Sequence, residues 1–244
     1  MKKYKKISAE DLYYLESSDM HPANTFFHFS FANYYDPDNI NFGVLRVLND
    51  DSVRPNSGFG THPHREMEIF SYVVDGKLTH RDSAGNQEIL SRGHVQCISA
   101  GTGLTHSEMN EQNDWCRFLQ IWVVPEKKNL PIRYDLQKFS FEDRNNKLLQ
   151  IISGTKNKDV APLYLCQDVN VYVSELTKKD RHLPFMLNSD RQAYIFCFEG
   201  SIDIAGYPSL KERDSLEIFG QANPVFSLAS DKAHFIIIEM QKVY

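Results

Sequence analysis

Gly58-Phe59-Gly60-Thr61-His62-Pro63-His64-Arg65-Glu66-Met67-Glu68 runs directly into Ile69-Phe70-Ser71-Tyr72-Val73-Val74-Asp75-Gly76, and this stretch decides the fold. A glycine-rich turn, a β-branched and aromatic run and a closing Asp-Gly dipeptide mark a strand that enters a hairpin. Further along, Ala84-Gly85-Asn86 follows Lys77 to Asp82, and Arg92-Gly93 opens Val95 to Ser99. Short strands punctuated at this spacing predict an antiparallel barrel or sandwich.

His62 and His64 stand two residues apart in that stretch, as do His106 and Glu108 in Thr105-His106-Ser107-Glu108-Met109-Asn110. Residues i and i+2 of a strand share a face, so two facing strands can aim four such groups at one ion. Imidazole with carboxylate suits iron, zinc, nickel, copper or manganese, whereas magnesium and calcium prefer oxygen alone. Chance placement of 9 histidines in 244 residues gives well under one His-x-His pair, although His64 and Glu66 already form a second His-x-Glu. The competing reading of either pair taken alone is a polar strand face turned to solvent.

Three segments carry a resemblance: Gly58 to Arg65, His80-Arg81-Asp82-Ser83-Ala84-Gly85-Asn86, and Ser99-Ala100-Gly101-Thr102-Gly103-Leu104-Thr105-His106-Ser107-Glu108. They are similar to the motifs of the pirin family within the cupin superfamily. Tyr34-Tyr35-Asp36-Pro37, Leu45 to Asp50 and Phe118-Leu119-Gln120-Ile121-Trp122 fit its bacterial, quercetinase-like members as well. The match covers about residues 26 to 135, while the second half agrees only in length and strand content.

That resemblance implies an all-β bicupin, two double-stranded β-helix barrels of jelly-roll type. Residues 1–130 would form the metal-binding cupin domain and 131–244 a degenerate cupin domain without metal. One divalent transition metal per chain would be held by His62, His64, His106 and Glu108, with iron the expected ion and zinc, nickel, manganese, copper or cobalt the alternatives. Glu68 stands where cupins in general place a carboxylate ligand, but pirins do not use that position for the metal. Its expected role is to orient a ligand imidazole through the free N–H.

Two functional classes follow from the same resemblance. In the first, the chain is a mononuclear dioxygenase like quercetin 2,3-dioxygenase, which opens a flavonol ring with O2. Three imidazoles and one carboxylate leave coordination positions open for a small aromatic substrate, and Glu108 is the expected general base. In the second, the chain is a regulatory module that changes its surface with metal oxidation state and docks on a protein partner. A purely structural ion fits less well, because structural zinc is usually closed by four ligands rich in cysteine.

The rest of the sequence excludes more than it adds. A net charge of −5 argues against direct nucleic-acid binding, which needs clustered Lys and Arg. The one basic cluster, Lys2-Lys3-Tyr4-Lys5-Lys6, reads as a solvated first strand, and no apolar run approaches the ~18 residues of a spanning helix. The 4 cysteines form no C-x-x-C pair and Asn-x-Ser/Thr is absent, so reduced thiols and a cytoplasmic location are expected. Cys97 and Cys197 sit in apolar runs and read as buried packing. Gly101-Thr102-Gly103 and Gly58-Phe59-Gly60 lack the third glycine of a dinucleotide loop, having His106 and Pro63 in its place.

Pro125 to Lys147 reads as the crossing between domains, and Ser8 to Ser17 as a short helix. Strands are expected at Leu148 to Ser153, Leu163 to Cys166, Val169 to Leu176, Ala193 to Phe198 and His234 to Met240. A weak internal repeat aligns Phe70 to Gly76 with Tyr194 to Gly200. It puts Met186, Asn188 and Gln192 where His62, His64 and Glu68 stand, and Ser227 and Ala229 in the places of His106 and Glu108. No metal is therefore expected in the second half, where His182 and His234 read as surface or packing residues.

Overall fold

Alternating apolar residues with frequent Gly, Asn and Asp breaks produce a chain of short strands. The computed structural model describes residues 3–242. β1 (Tyr4–Ile7), a single 3-10 turn at Ala9–Asp11, β2 (Tyr13–Leu15), β3 (Ala23–Phe27), β4 (Leu45–Val53), β5 (Ser57–His64) and β6 (Glu68–Asp75) come first. β7 (Lys77–Asp82), β8 (Gln87–Ser91), β9 (His94–Ser99), β10 (Leu104–Asn110), β11 (Cys116–Val123) and β12 (Arg133–Lys138) follow. After the one-turn α1 (Phe141–Arg144) come β13 (Leu149–Ser153), β14 (Leu163–Tyr164), β15 (Val169–Leu176), β16 (His182–Pro184), β17 (Arg191–Ile204), β18 (Ser215–Phe219) and β19 (Val225–Gln241). Among the described residues, no helix is long and apolar enough to cross a membrane.

The chain divides into two compact units. One comprises Tyr13–Phe139 with Leu165–Gln167. Its strands form a seven-stranded sheet in the order β12-β9-β6-β11-β4-β3-β2 and a four-stranded sheet, β5-β10-β7-β8. The two sheets share an interior: Val53, Val73 and Phe118 from the larger pack with Leu78, Leu90 and Phe59 from the smaller. A second apolar cluster, Ile69, Ile98 and Leu104 with Trp122 and Tyr134 against it, also draws on both sheets. Polar side chains occupy interior positions of the same strands.

The other unit holds, among the described residues, 3–12, Ser140–Tyr164 and 168–242. Its strands form one sheet, β1-β18-β17-β19-β15-β13-β14, with β16 paired to β19. Leu176, Leu187, Ile195, Leu216, Phe226 and Phe235 fill its interior with hydrocarbon. β17 passes straight through Glu199-Gly200, paired along this stretch with β19. Register shifts between Cys197 and Glu199 and between Gly200 and Ile202 absorb the bend. Gly200 has φ +68, and a Cβ there would lie 1.9 Å from the Lys232 carbonyl oxygen, so only glycine fits this bulge.

Three expectations are corrected. Ser8 to Ser17 is a 3-10 turn followed by β2, because Tyr13, Tyr14 and Leu15 find partners on β3 at Phe27, Phe26 and Thr25. Residues 3–12 do not belong with the N-terminal barrel: β1 pairs antiparallel with β18, and Lys6 Nζ lies 2.8 Å from Asp214 Oδ2. Lys2 lies outside the described residues. The supposed crossing at Pro125 to Lys147 contains β12, which pairs with β9, so the barrel continues to Phe139 rather than ending at residue 130.

Candidate metal centre

β5 and β10 pair antiparallel, with His62 opposite His106 and His64 opposite Leu104. Beyond His106 the register shifts, so that Glu108 stands opposite Phe59. The extra residue of this bulge in β5 brings Phe59 onto the same face as His62 and His64, three positions away instead of an even number. Gly58 makes the bulge feasible, since a Cβ there would lie 2.5 Å from the Glu108 carbonyl oxygen.

Three imidazoles converge at this point, one nitrogen of each lying within 4.8 Å of the others. His62 Nε2 and His106 Nε2 are 3.1 Å apart, and the ring of His64 is 4.7 Å from that of His106. The His62 Nδ1–H donates to the Gly60 carbonyl at 2.7 Å, which fixes the tautomer and leaves Nε2 with its lone pair. His64 Nε2 is buried without a hydrogen-bond partner. Two imidazole nitrogens 3.1 Å apart match a pair of ligands each about 2.1 Å from one ion and close to a right angle to each other. An orphaned buried Nε2 beside them completes a set that fits a transition metal.

Burial is the first reason His64 and His106 stay neutral, the form that binds metal. It lowers His64 to about 4, with His62 adding to the effect, and drives His106 lower still, with His64, His62 and His80 contributing.

Glu108 faces the same interior, yet its carboxylate is not part of the three-imidazole group. Oε1 accepts from Ser71 Oγ at 3.0 Å and from Gln96 Nε2 at 2.8 Å, while Oε2 accepts a short hydrogen bond from Gln120 Nε2. Burial raises its pKa to about 7, against the opposing hydrogen bonds from Ser71, Gln120 and Gln96. These donors form a belt of cross-strand neighbours: Gln120 lies opposite Ser71, and Ser71 opposite Gln96.

Glu68 does not take its expected role. It is fully buried, but its Oε2 accepts from Ser99 Oγ at 3.0 Å and from the Cys166 backbone N–H at 2.8 Å, not from an imidazole. Strand parity is the reason. Glu68 and Ser71 are three residues apart on β6 and so point to opposite faces, and Ser71 has the interior.

His80 belongs to the site although it is not among the four expected ligands. β7 pairs with β10 so that His80 stands opposite Glu108 and Asp82 opposite His106. Its ring stacks on Tyr134 at 4.6 Å and lies 5.4 Å from the His106 ring, and Nε2 is 3.2 Å from Asp82 Oδ2. Burial lowers its pKa and the Asp82 carboxylate partly restores it. The signal available in the sequence is the alternation His80-Arg81-Asp82 ahead of a turn.

In the other unit, Asp203 pairs with Ser227 as Asp82 pairs with His106, and His182 stands opposite Ser227. Strand pairing thus gives His182, not Met186, the place of His62, and the His182 side chain is exposed. A different group gathers there: Glu175, Glu199 and His234, with His234 Nδ1 3.2 Å from Glu199 Oε2. Arg144 Nε donates to Glu175 at 3.0 Å, so a cation already neutralises one of its carboxylates.

Comparison with known proteins agrees with this layout. The Pirin family matches residues 13–123, and the family described as quercetinase C-terminal cupin domain matches residues 140–240. A pirin-like protein from Caulobacter vibrioides is 36% identical over 212 residues, covering 87% of this chain and 90% of the relative. A quercetin 2,3-dioxygenase from Escherichia coli is 37% identical over 179 residues, 73% of this chain and 75% of its own. The crystal structure of bacterial pirin YhhW in complex with nickel(II) from Escherichia coli superposes with a TM-score of 0.87 at 30% identity, over 98% of this chain and 100% of that one. With both barrels matched and relatives of this identity along most of its length, the chain belongs to the pirin family and has the all-β bicupin fold.

Proposed function

We propose that this chain is a mononuclear metal-dependent dioxygenase acting on a flavonol-like aromatic substrate, with quercetin 2,3-dioxygenase as the nearest activity. The observation that carries this reading is the convergence of three imidazoles beside a buried carboxylate whose pKa is raised to about 7. His62, His64 and His106 would hold one divalent metal, with Glu108 as the fourth group. The resemblance favours iron, and the nickel complex of the structural relative supports a site that takes more than one first-row ion. Such an ion supplies Lewis acidity toward a hydroxyl or carbonyl oxygen and a route for electrons to O2.

The chain's own residues do the remaining work. Glu108 is poised to take the proton of a flavonol hydroxyl, since a general base works best with a pKa near the operating pH. Gln96, Gln120 and Ser71 hold its carboxylate in place. Trp122 packs edge-on against His64 at 4.7 Å and Leu104 stands opposite His64 across β5 and β10, which would lay apolar surface on that side of the ion. The residues beyond Ser140 would bind no metal, because the counterpart of the imidazole cluster is lost and Arg144 occupies Glu175. Four cysteines without a disulfide support a cytoplasmic location.

Oxygen uptake tests this reading. Protein loaded in turn with Fe, Mn, Ni and Cu and mixed with a flavonol should consume O2 in step with loss of flavonol absorbance for at least one metal. Uptake no higher than buffer with every metal and every flavonol would refute the enzyme and leave the metal-dependent binding module.

A further inference from the structure

A cavity of about 400 Å³ opens in the first unit beside β2 and β3. Phe27, Phe31, Phe59 and Tyr34 wall it, and Asn49 and Asp51 of β4 lie at its inner end. Its size is within the roughly 300–1,000 Å³ of small-molecule sites. Aromatic faces of this kind favour a planar aromatic guest. The polar end is half satisfied. Asp51 Oδ1 is 2.5 Å from Thr25 Oγ1, which is 2.8 Å from His21 Nε2. Asn49 is only 5% exposed and its Oδ1 has no hydrogen-bond partner. A buried acceptor is costly to leave unpaired, so one retained on a cavity wall calls for a donor brought by the occupant.

Met20 and Phe59 line both this cavity and an open cleft that reaches His62, and two chains of packed side chains also link the cavity to the metal centre. Asn49 stands opposite Gln120 across β4 and β11, and Gln120 donates to Glu108. Phe31 lies edge-on to Trp122 at 5.1 Å, and Trp122 edge-on to His64 at 4.7 Å. We infer that the cavity takes the remote, hydroxylated ring of a planar polyphenol, and that Asn49 determines specificity by accepting a hydrogen bond from a hydroxyl of that ring. The inference rests on the flavonol reading of the metal centre, but binding alone can test it.

The experiment is anaerobic titration of full-length protein, as purified and after chelation, with quercetin and with a flavonol whose remote ring bears no hydroxyl. Wild type should prefer quercetin by roughly tenfold, the scale of one hydrogen bond to a buried group. Asn49→Leu, similar in size but without the acceptor, should lose that preference and keep its affinity for the unsubstituted flavonol. Ala32→Trp, at an exposed residue lining the same cavity, should weaken both ligands whatever Asn49→Leu does to folding. Equal wild-type affinities, a preference that survives Asn49→Leu, or indifference of both ligands to Ala32→Trp would overturn the assignment. Oxygen uptake separates the two claims. A preference dependent on Asn49 without uptake removes the reaction but keeps the cavity, and uptake without that preference does the reverse.

Discussion

His106→Ala should leave the purified protein without metal and without oxygen uptake. This residue sits at the centre of the cluster: Nε2 is 3.1 Å from that of His62, and the rings of His64 and His80 lie 4.7 Å and 5.4 Å away. Loss of a group that merely supports a ligand typically costs 10–100-fold in metal affinity, and loss of the ligand itself should cost at least that. Elemental analysis before and after dialysis against a weak chelator measures the effect. His182→Ala, the counterpart of His62 in the other unit, should leave metal content unchanged. Equal metal in wild type, His62→Ala and His106→Ala would remove the site assignment.

Glu108→Gln should separate metal binding from catalysis. The substitution keeps the shape and one acceptor oxygen but replaces the other with a donor, facing the amides of Gln96 and Gln120. Gln120 can answer by turning its own amide, so the variant is expected to fold. A positioned general base contributes roughly 10²–10⁴-fold, and a metal-loaded Gln variant should lose rate in that range. Rate and metal content measured on the same samples decide the outcome. A variant that turns over at the wild-type rate per metal would show that Glu108 is not the base, and one that only loses metal would make it a ligand alone.

The parts of the fold that sequence reveals are those with a local signal. Asp75-Gly76 and Ala84-Gly85-Asn86 end strands where expected, and the two i, i+2 pairs do bring three histidines together. What stays hidden depends on partners distant in sequence. β12 does alternate, with Tyr134 and Leu136 turned to the interior clusters and Arg133, Asp135 and Gln137 between them. Its charged positions and the two prolines ahead of it, Pro125 and Pro131, give it the look of a linker, as edge strands often have. β1 finds its neighbour more than two hundred residues away, at β18. The belt of Gln120, Ser71 and Gln96 around Glu108 consists of ordinary polar residues in apolar strands, and only the register of three strands makes them neighbours. Glu68 illustrates the opposite error, because matching a position in a motif says nothing about which face of β6 it occupies.

Anomalous X-ray scattering from crystals of protein purified without chelator tests the central claim most directly. A single peak per chain is expected, within about 2.0–2.3 Å of nitrogens of His62, His64 and His106. No peak at that cluster in metal-replete crystals, or the principal peak at Glu175, Glu199 and His234 instead, would contradict it.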